Sequence, residues 1–158
     1  MNEISAPIDL PILSLQVYYG LDDRLTLSNY PGSAWRGAFG HALKKTVCVN
    51  RGVECDTCLL NRSCAYPSIF NTTAPQGSGK MTRYETVPVP YLLNIEVDQR
   101  AGEYVLGITL IGDACRHLPY VIYALAEAGR HGIGSRRQPL ERHDIRQFDF
   151  VDNSWFEI

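Results

Sequence analysis

Apolar and polar residues alternate in four segments of the chain, and each alternation predicts a β-strand. The first strand is expected from Ile12 to Tyr19, the second from Val87 to Val97 and the third from Glu103 to Ile111. A fourth strand is expected within Leu140 to Phe150, where the alternation is weaker. The four segments predict one antiparallel sheet.

Two further segments repeat their apolar residues at helical spacing. Ser33 is predicted to cap a helix from Ala34 to about Val47, and a second helix is expected from about His117 to Arg130, with Pro119 in its first turn. The order βαββαβ places both helices on one face of a four-stranded antiparallel sheet, which is the α+β arrangement called ferredoxin-like. Because 158 residues suit one domain, residues 1–158 are predicted to form a single ferredoxin-like domain.

The face of the sheet opposite the helices is predicted to be apolar. The residues expected there are Ile12, Tyr18, Leu92, Val105 and Ile111. Because a contiguous apolar face marks an interface, a second domain or a second copy of the chain is expected to cover it.

Residues 48–80 interrupt this pattern as an insert after the first helix, and they read as irregular. The part from Asn71 to Lys80, NTTAPQGSGK, predicts a flexible loop. The first part carries four cysteines with a C-x2-C pair at their centre: Cys48, Cys55, Cys58 and Cys64. Four thiolates at such spacing suit one tetrahedral ion, so structural zinc is the leading interpretation. An iron–sulfur cluster, free thiols and disulfides stay open as alternatives.

Composition and charge narrow the class of protein. The hydrophobic share of 45 % and charged share of 20 % are ordinary for a globular domain. No apolar run reaches the length of a membrane span, and the first ten residues lack a basic signal-peptide region, so a cytoplasmic protein without a membrane partner is expected.

The charges are unevenly distributed along the chain. The net charge is −2, but Arg24 to Val53 holds five Lys/Arg and no acid, and Arg130 to Arg146 holds five Arg. These two segments are the candidates for a basic, nucleic-acid-binding surface.

The first helix carries a candidate site. Gly37, Gly40, His41 and Lys44 fall at i, i+3, i+4 and i+7, so they share one face. Glycines there would let a nucleic-acid backbone approach closely, within reach of the histidine and the lysine. The alternative is that the glycines admit a neighbouring strand and that the histidine is an ordinary surface residue.

A glycine-rich stretch follows the second helix, from Gly129 to Arg137, and reads GRHGIGSRR. Arginines at a glycine loop suit phosphate binding, because the guanidinium fork matches phosphate oxygens. The alternative is a helix C-cap followed by solvated arginines. The predicted RNA contacts are Arg36 and Lys45 on the first helix and Arg130, His131, Arg136 and Arg137 here.

Several motifs, in order, resemble one family. They are WRGAFGHAL at 35–43, CAYP at 64–67, PY at 90–91, LIG at 110–112, LPY at 118–120 and GIG at 132–134. Over about residues 10–145 the chain resembles the N-terminal part of the CRISPR precursor-RNA-processing endoribonucleases, which belong to the RAMP superfamily. The resemblance implies a ferredoxin-like fold and metal-independent cleavage of a CRISPR repeat RNA. In that reaction the 2′-hydroxyl attacks the adjacent phosphate and leaves a 2′,3′-cyclic phosphate.

The resemblance also implies site residues and partners. His41 matches the family's catalytic histidine, with Tyr30 and Lys44 as its helpers. Family members usually carry two tandem ferredoxin-like domains, whereas this sequence holds one, so whether it acts as an endoribonuclease is left open. The other hypotheses are a non-catalytic RNA-binding scaffold within a CRISPR effector complex and a redox protein with a cluster at its cysteines. Expected partners are CRISPR repeat RNA, a second ferredoxin-like domain, effector subunits or a second copy.

Overall fold

The computed structural model describes residues 9–20, 31–70, 72, 87–98, 103–134 and 137–158. Apart from Thr72, the loop predicted from Asn71 to Lys80 lies outside these residues. The strands and helices are β1 Ile12–Gly20, α1 Pro31–Val47, α2 Ala65–Phe70, β2 Tyr91–Asp98, β3 Glu103–Ile111, α3 Leu118–His131, β4 Arg142–Asp149 and β5 Ser154–Glu157. Two 3-10 turns lie at Cys55–Thr57 and Gly112–His117. None of the helices in the described ranges is long and apolar enough to cross a membrane.

The strands form one antiparallel sheet in the order β2-β3-β1-β4-β5, and the fold is mixed α+β. The predicted number of four strands was wrong, because β5 extends the sheet beyond β4. A turn joins the two strands, and in it the Asp149 carboxylate accepts hydrogen bonds from the backbone N–H groups of Val151 at 2.7 Å and Asp152 at 3.2 Å. The rings of Phe148 and Trp155 pack 5.1 Å apart across the pair. A strand of four residues is too short to show alternation in the sequence.

Aromatic residues join the sheet to the two long helices. Trp35 of α1 is fully buried and donates a hydrogen bond from Nε1 to the hydroxyl of Tyr104 on β3, at 2.6 Å. The Tyr19 hydroxyl of β1 donates to the carbonyl of Leu125 on α3, at 3.0 Å. Burial raises the pKa of Tyr104 to about 12, so its phenol stays neutral at physiological pH. These bonds fix α1 and α3 side by side on one face of the sheet.

Two local predictions need correction. Helix α1 begins at Pro31 and not after Ser33, so Ser33 lies inside its first turn. Proline suits the first helical position, because the N–H it lacks would have no intrahelical acceptor there. The insert is not wholly irregular either: it contains the helix α2, whose Ile69 is buried in the core.

The sheet face opposite the helices mixes polar and apolar groups. Val105 is only 8 % exposed, and the Arg146 guanidinium covers the Tyr18 ring at 4.5 Å from its centroid. In the middle of the face the hydroxyls of Ser14 and Thr109 form a hydrogen bond of 2.9 Å. Polar groups therefore interrupt the predicted apolar face, although Ile12 and Leu92 on it are exposed, at 48 % and 64 %. That a partner covers this face stays a prediction.

Candidate nucleic-acid groove

A groove of about 870 Å³ runs between α1 and α3 on the side away from the sheet. It exists because the residues along this seam are small, so that no side chain fills the space between the two helices. These residues are Ala34, Gly37, Ala38 and Ala42 of α1 and Ala128 of α3. Around Gly37 a Cβ atom would meet nothing within 4 Å, so the groove is open at this point.

The groove collects four residues that the sequence predicted as site residues. His41 and Lys45 reach it from α1, His131 reaches it from the end of α3, and Arg137 reaches it from the following loop. His41 is exposed, as expected for a residue that meets a substrate. Residues about 90 positions apart in the sequence thus line one basic surface.

Three groove residues were missed by the sequence analysis. Arg51 follows the end of α1, and Tyr123 and Glu127 precede His131 on α3. Arg51 was within the first basic segment but was not selected. Tyr123, Glu127 and His131 are spaced four residues apart, which places them on one face of a helix, and this spacing could have identified them.

The carboxylate at the groove is paired. The Arg130 guanidinium donates two hydrogen bonds to Glu127, from Nε at 2.9 Å and from Nη2 at 2.8 Å. These bonds lower the pKa of Glu127, and the charges of Arg130, His131 and Lys45 act in the same direction. Arg130 itself lies outside the groove lining. Among the described residues, the groove lining therefore holds three permanent cations, Lys45, Arg51 and Arg137, and a carboxylate, Glu127, that is paired with Arg130.

The glycine-rich loop is shaped by its own backbone. Gly132 has a φ of +87°, and a Cβ there would lie 2.2 Å from the Arg137 carbonyl oxygen, so only glycine fits. The N–H of Gly132 donates to the Gly129 carbonyl, and the N–H of Ile133 donates to the Gln138 carbonyl. Gly132 is therefore the C-cap of α3, and these two N–H groups are used within the loop. That the arginines of this loop bind phosphate stays a prediction.

Other predicted site residues lie elsewhere. Lys44 and Arg36 project from α1 on the side of α2: the Lys44 Nζ is 5.5 Å from the Tyr66 ring centroid, and the Arg36 guanidinium is 5.7 Å from that of Phe70. Gly40 also faces Phe70, and a Cβ there would lie 2.8 Å from the ring. The shared face predicted for Gly37, Gly40, His41 and Lys44 is thus divided between two sides of α1. Tyr30 and Arg136 lie outside the described residues.

The four insert cysteines line one small pocket of about 20 Å³, beside Lys44 and Tyr66. None of these four cysteines forms a disulfide bond with another described residue. Every residue of the described segment 48–64 is exposed except five, which are Asn61 and these cysteines, and the five are half-buried. The Asn61 side chain donates to the carbonyl of Cys55 at 2.6 Å. The cysteines are therefore the inward-facing residues of a segment that has no apolar core of its own.

The four cysteines have the donor atoms of a structural metal site, but their side chains are not arranged as a closed one. Burial raises the pKa of the Cys55 thiol; Lys44 opposes this shift, and the other three cysteines reinforce it, which shows that the four thiols are neighbours. Four thiols are the donor set of a structural zinc site. As they stand, however, the residues that the structure describes include no group of three or more His, Cys, Asp or Glu side chains that could hold a metal ion. A closed site would need the thiols to move together.

Comparisons with known proteins give a family but no activity. A family model described as AF_1859_N, an N-terminal domain, matches residues 10–155 of this chain. An uncharacterized protein of Archaeoglobus fulgidus is 26 % identical over 132 residues, which cover 84 % of this chain and 44 % of that relative. The chain thus spans less than half the length of this relative. No solved structure matches significantly.

Proposed function

We propose that this domain, which belongs to the AF_1859_N family, binds single-stranded RNA in the groove between α1 and α3. One observation carries the proposal: two histidines and three permanent cations from separate parts of the chain line the same groove. Lysine and arginine side chains provide most of the affinity for a phosphate backbone. Small residues along the seam leave the backbone of an RNA strand room to approach both helices.

The proposed activity is that of a CRISPR precursor-RNA-processing endoribonuclease of the RAMP superfamily. The 2′-hydroxyl of the RNA attacks the adjacent phosphate, and the products carry a 2′,3′-cyclic phosphate and a free 5′-hydroxyl. His41 moves a proton at the reacting oxygens, because an imidazole gains and loses protons near neutral pH. Lys45, Arg51 and Arg137 stabilise the negative charge that builds on the phosphate. No step of this reaction needs a metal ion.

The strand order supports a finer description of the fold. The order β2-β3-β1-β4 with all neighbours antiparallel, and a helix after β1 and after β3, is that of a ferredoxin-like domain. In this description β5 is an addition to the edge at β4. The description fits an RNA-binding domain that places its site on the helices and leaves the sheet free.

We also propose that the cysteines hold a structural metal ion, with zinc ahead of an iron–sulfur cluster. Support comes from the shared pocket and from the absence of buried apolar residues in the described segment 48–64. The ion would hold the insert against α1. It takes no part in cleavage.

Repeat RNA from a CRISPR array of the host organism tests the activity directly. The protein is incubated without added metal, and the RNA is analysed on a denaturing gel. We expect a single cut that disappears when one 2′-deoxynucleotide replaces the residue before the scissile phosphate, while binding persists. If the protein binds the RNA and never cuts it, the scaffold hypothesis replaces the proposed activity. If it neither binds nor cuts, the groove is not an RNA site.

A further inference from the structure

Two imidazoles face the groove from different helices. His41 lies on α1, and His131 is the last residue of α3; both are exposed. Cleavage by a 2′-hydroxyl involves two proton transfers: one proton leaves the attacking oxygen and another reaches the leaving oxygen. Two histidines beside one phosphate could carry out both transfers.

His131 is held in one tautomer. Its Nδ1 lies 2.8 Å from the backbone carbonyl oxygen of Glu127. A carbonyl oxygen only accepts hydrogen bonds, so Nδ1 carries the proton and Nε2 of the neutral ring keeps its lone pair. The Glu127 carboxylate lies 3.8 Å from the same Nδ1 and would stabilise the imidazolium that forms when Nε2 takes a proton. A base oriented by a hydrogen bond and by a nearby carboxylate is the arrangement that general-base histidines use.

His41 is held differently. Among the described residues it forms no hydrogen bond, ion pair or ring contact. Both of its nitrogens are therefore available to the groove, and nothing fixes the ring in the neutral tautomer that a base requires. Its neighbour one turn along α1 is the cation Lys45, on the same groove wall.

We infer that His131 is a second catalytic residue, the general base, and that His41 is the general acid; the inference rests on the proposed function. His131 Nε2 removes the proton of the 2′-hydroxyl as the O2′–P bond forms. The P–O5′ bond then breaks, and the His41 imidazolium gives its proton to the departing O5′. One proton is taken up by the enzyme and one is released, so the two histidines exchange protonation states and solvent resets them.

The pH dependence of the cleavage rate should reflect the protonation of both histidines. Rate rises with pH while the base loses its proton and falls when the acid loses its own, which gives a bell-shaped profile. Among the described residues, the charged and titratable groups that line the groove with the two rings are Lys45 from α1, Arg51 from the turn after it, Tyr123 and Glu127 from α3, and Arg137 from the loop. Arg130 of α3 acts through its ion pair with Glu127.

A substrate with a sulphur leaving group separates the two roles. Repeat RNA is made with a 5′-bridging sulphur at the scissile phosphate, because a thiolate leaves without needing a proton. We expect His41→Ala and His131→Ala each to cut the ordinary RNA about 10²- to 10⁴-fold more slowly. His41→Ala should recover most of its rate on the sulphur RNA, and His131→Ala should not. His41→Ala should lose the fall in rate at high pH, and His131→Ala should lose the rise at low pH.

The control variant is His143→Ala, an exposed histidine of β4 whose Nε2 lies 3.3 Å from a Glu103 carboxylate oxygen, outside the groove lining. It should cut both RNAs at the wild-type rate. A His131→Ala variant that cuts ordinary RNA at the wild-type rate overturns the second catalytic residue and leaves the proposed function standing. Recovery of His131→Ala instead of His41→Ala on the sulphur RNA overturns the assigned roles. Wild-type protein that cuts neither RNA contradicts the proposed activity itself.

Discussion

The groove beside His41 and the cysteine pocket beside Lys44 lie on two sides of the same helix, α1, but they are built differently. The two walls of the groove are helices whose inner faces are fully buried, at Trp35 on α1 and Leu125 on α3. The outer wall of the pocket, the described segment 48–64, has no buried residue. The core therefore fixes the shape of the groove, whereas the pocket depends on whatever joins its cysteines. We expect changes at the groove to alter chemistry and changes at the pocket to alter stability.

The groove and the cysteine pocket should differ most in their effect on stability, and the largest change in the free energy of unfolding should come from the proposed metal. A ligand that binds only the folded state at about 1,000 times its Kd adds about 4 kcal/mol to the free energy of unfolding. Removal of the metal with a chelator, or the variant Cys58→Ser, should lower the melting temperature and the bound metal together. Elemental analysis and thermal unfolding measure both quantities.

Cys115 provides the control for that experiment. It is a free cysteine outside the insert, in the turn before α3. Cys115→Ser should keep one metal ion per chain. Protein purified without chelator that holds neither zinc nor iron, and whose melting temperature a chelator does not change, would show that the cysteines are free thiols.

Two glycines of α1, one on the groove side and one on the side of α2, should give the next largest difference in stability. Gly40 packs against Phe70, and an added Cβ would lie 2.8 Å from that ring, whereas Gly37 faces the open groove. Alanine in place of helical glycine gains about 1 kcal/mol, and overpacking costs about 1–3 kcal/mol. Gly37→Ala should therefore raise the free energy of unfolding by up to about 1 kcal/mol. Gly40→Ala should lower it by up to about 2 kcal/mol.

Urea unfolding of the two variants measures the difference. The chemical change is the same in both, so the comparison isolates the surroundings of each glycine. Equal stabilisation by both alanines would mean that Phe70 moves aside freely and that the side of α1 facing α2 is no better packed than the groove.

Helix α1 also shows how much of the candidate site could be predicted from the sequence. The sequence analysis selected His41 and Lys45 separately, one as a catalytic residue and the other as an RNA contact, and the structure brings both to the groove. Their spacing of four residues, which places them on one face of α1, was not used. The sequence analysis grouped Lys44 and Gly40 with His41, because positions three and four residues apart are both neighbours on a helix. Which of them face a common site is decided by α3 on one side and α2 on the other. Helix α2 was not predicted, and the approach of α3 is a tertiary contact, so neither division could be derived from spacing alone.

The smallest expected effect comes from two adjacent lysines of α1, one on the groove side and one on the side of α2. Lys45 lines the groove, and Lys44 lies over the Tyr66 ring at 5.5 Å beside the cysteine pocket. Each phosphate contact that is lost should flatten the dependence of log affinity on log salt by about 0.7 for single-stranded RNA. Lys45→Ala should show this change with little loss of stability. Lys44→Ala should keep the wild-type slope and lose about 0.5–1 kcal/mol of stability with its cation–π contact. Salt titrations of RNA binding measure the slope for each variant, and urea unfolding measures the free energy of unfolding of each.

The opposite result would reverse the assignment. If Lys44→Ala flattens the slope or slows cleavage while Lys45→Ala does neither, the RNA follows the α2 side of the helix. The role in catalysis predicted for Lys44 is then the correct one.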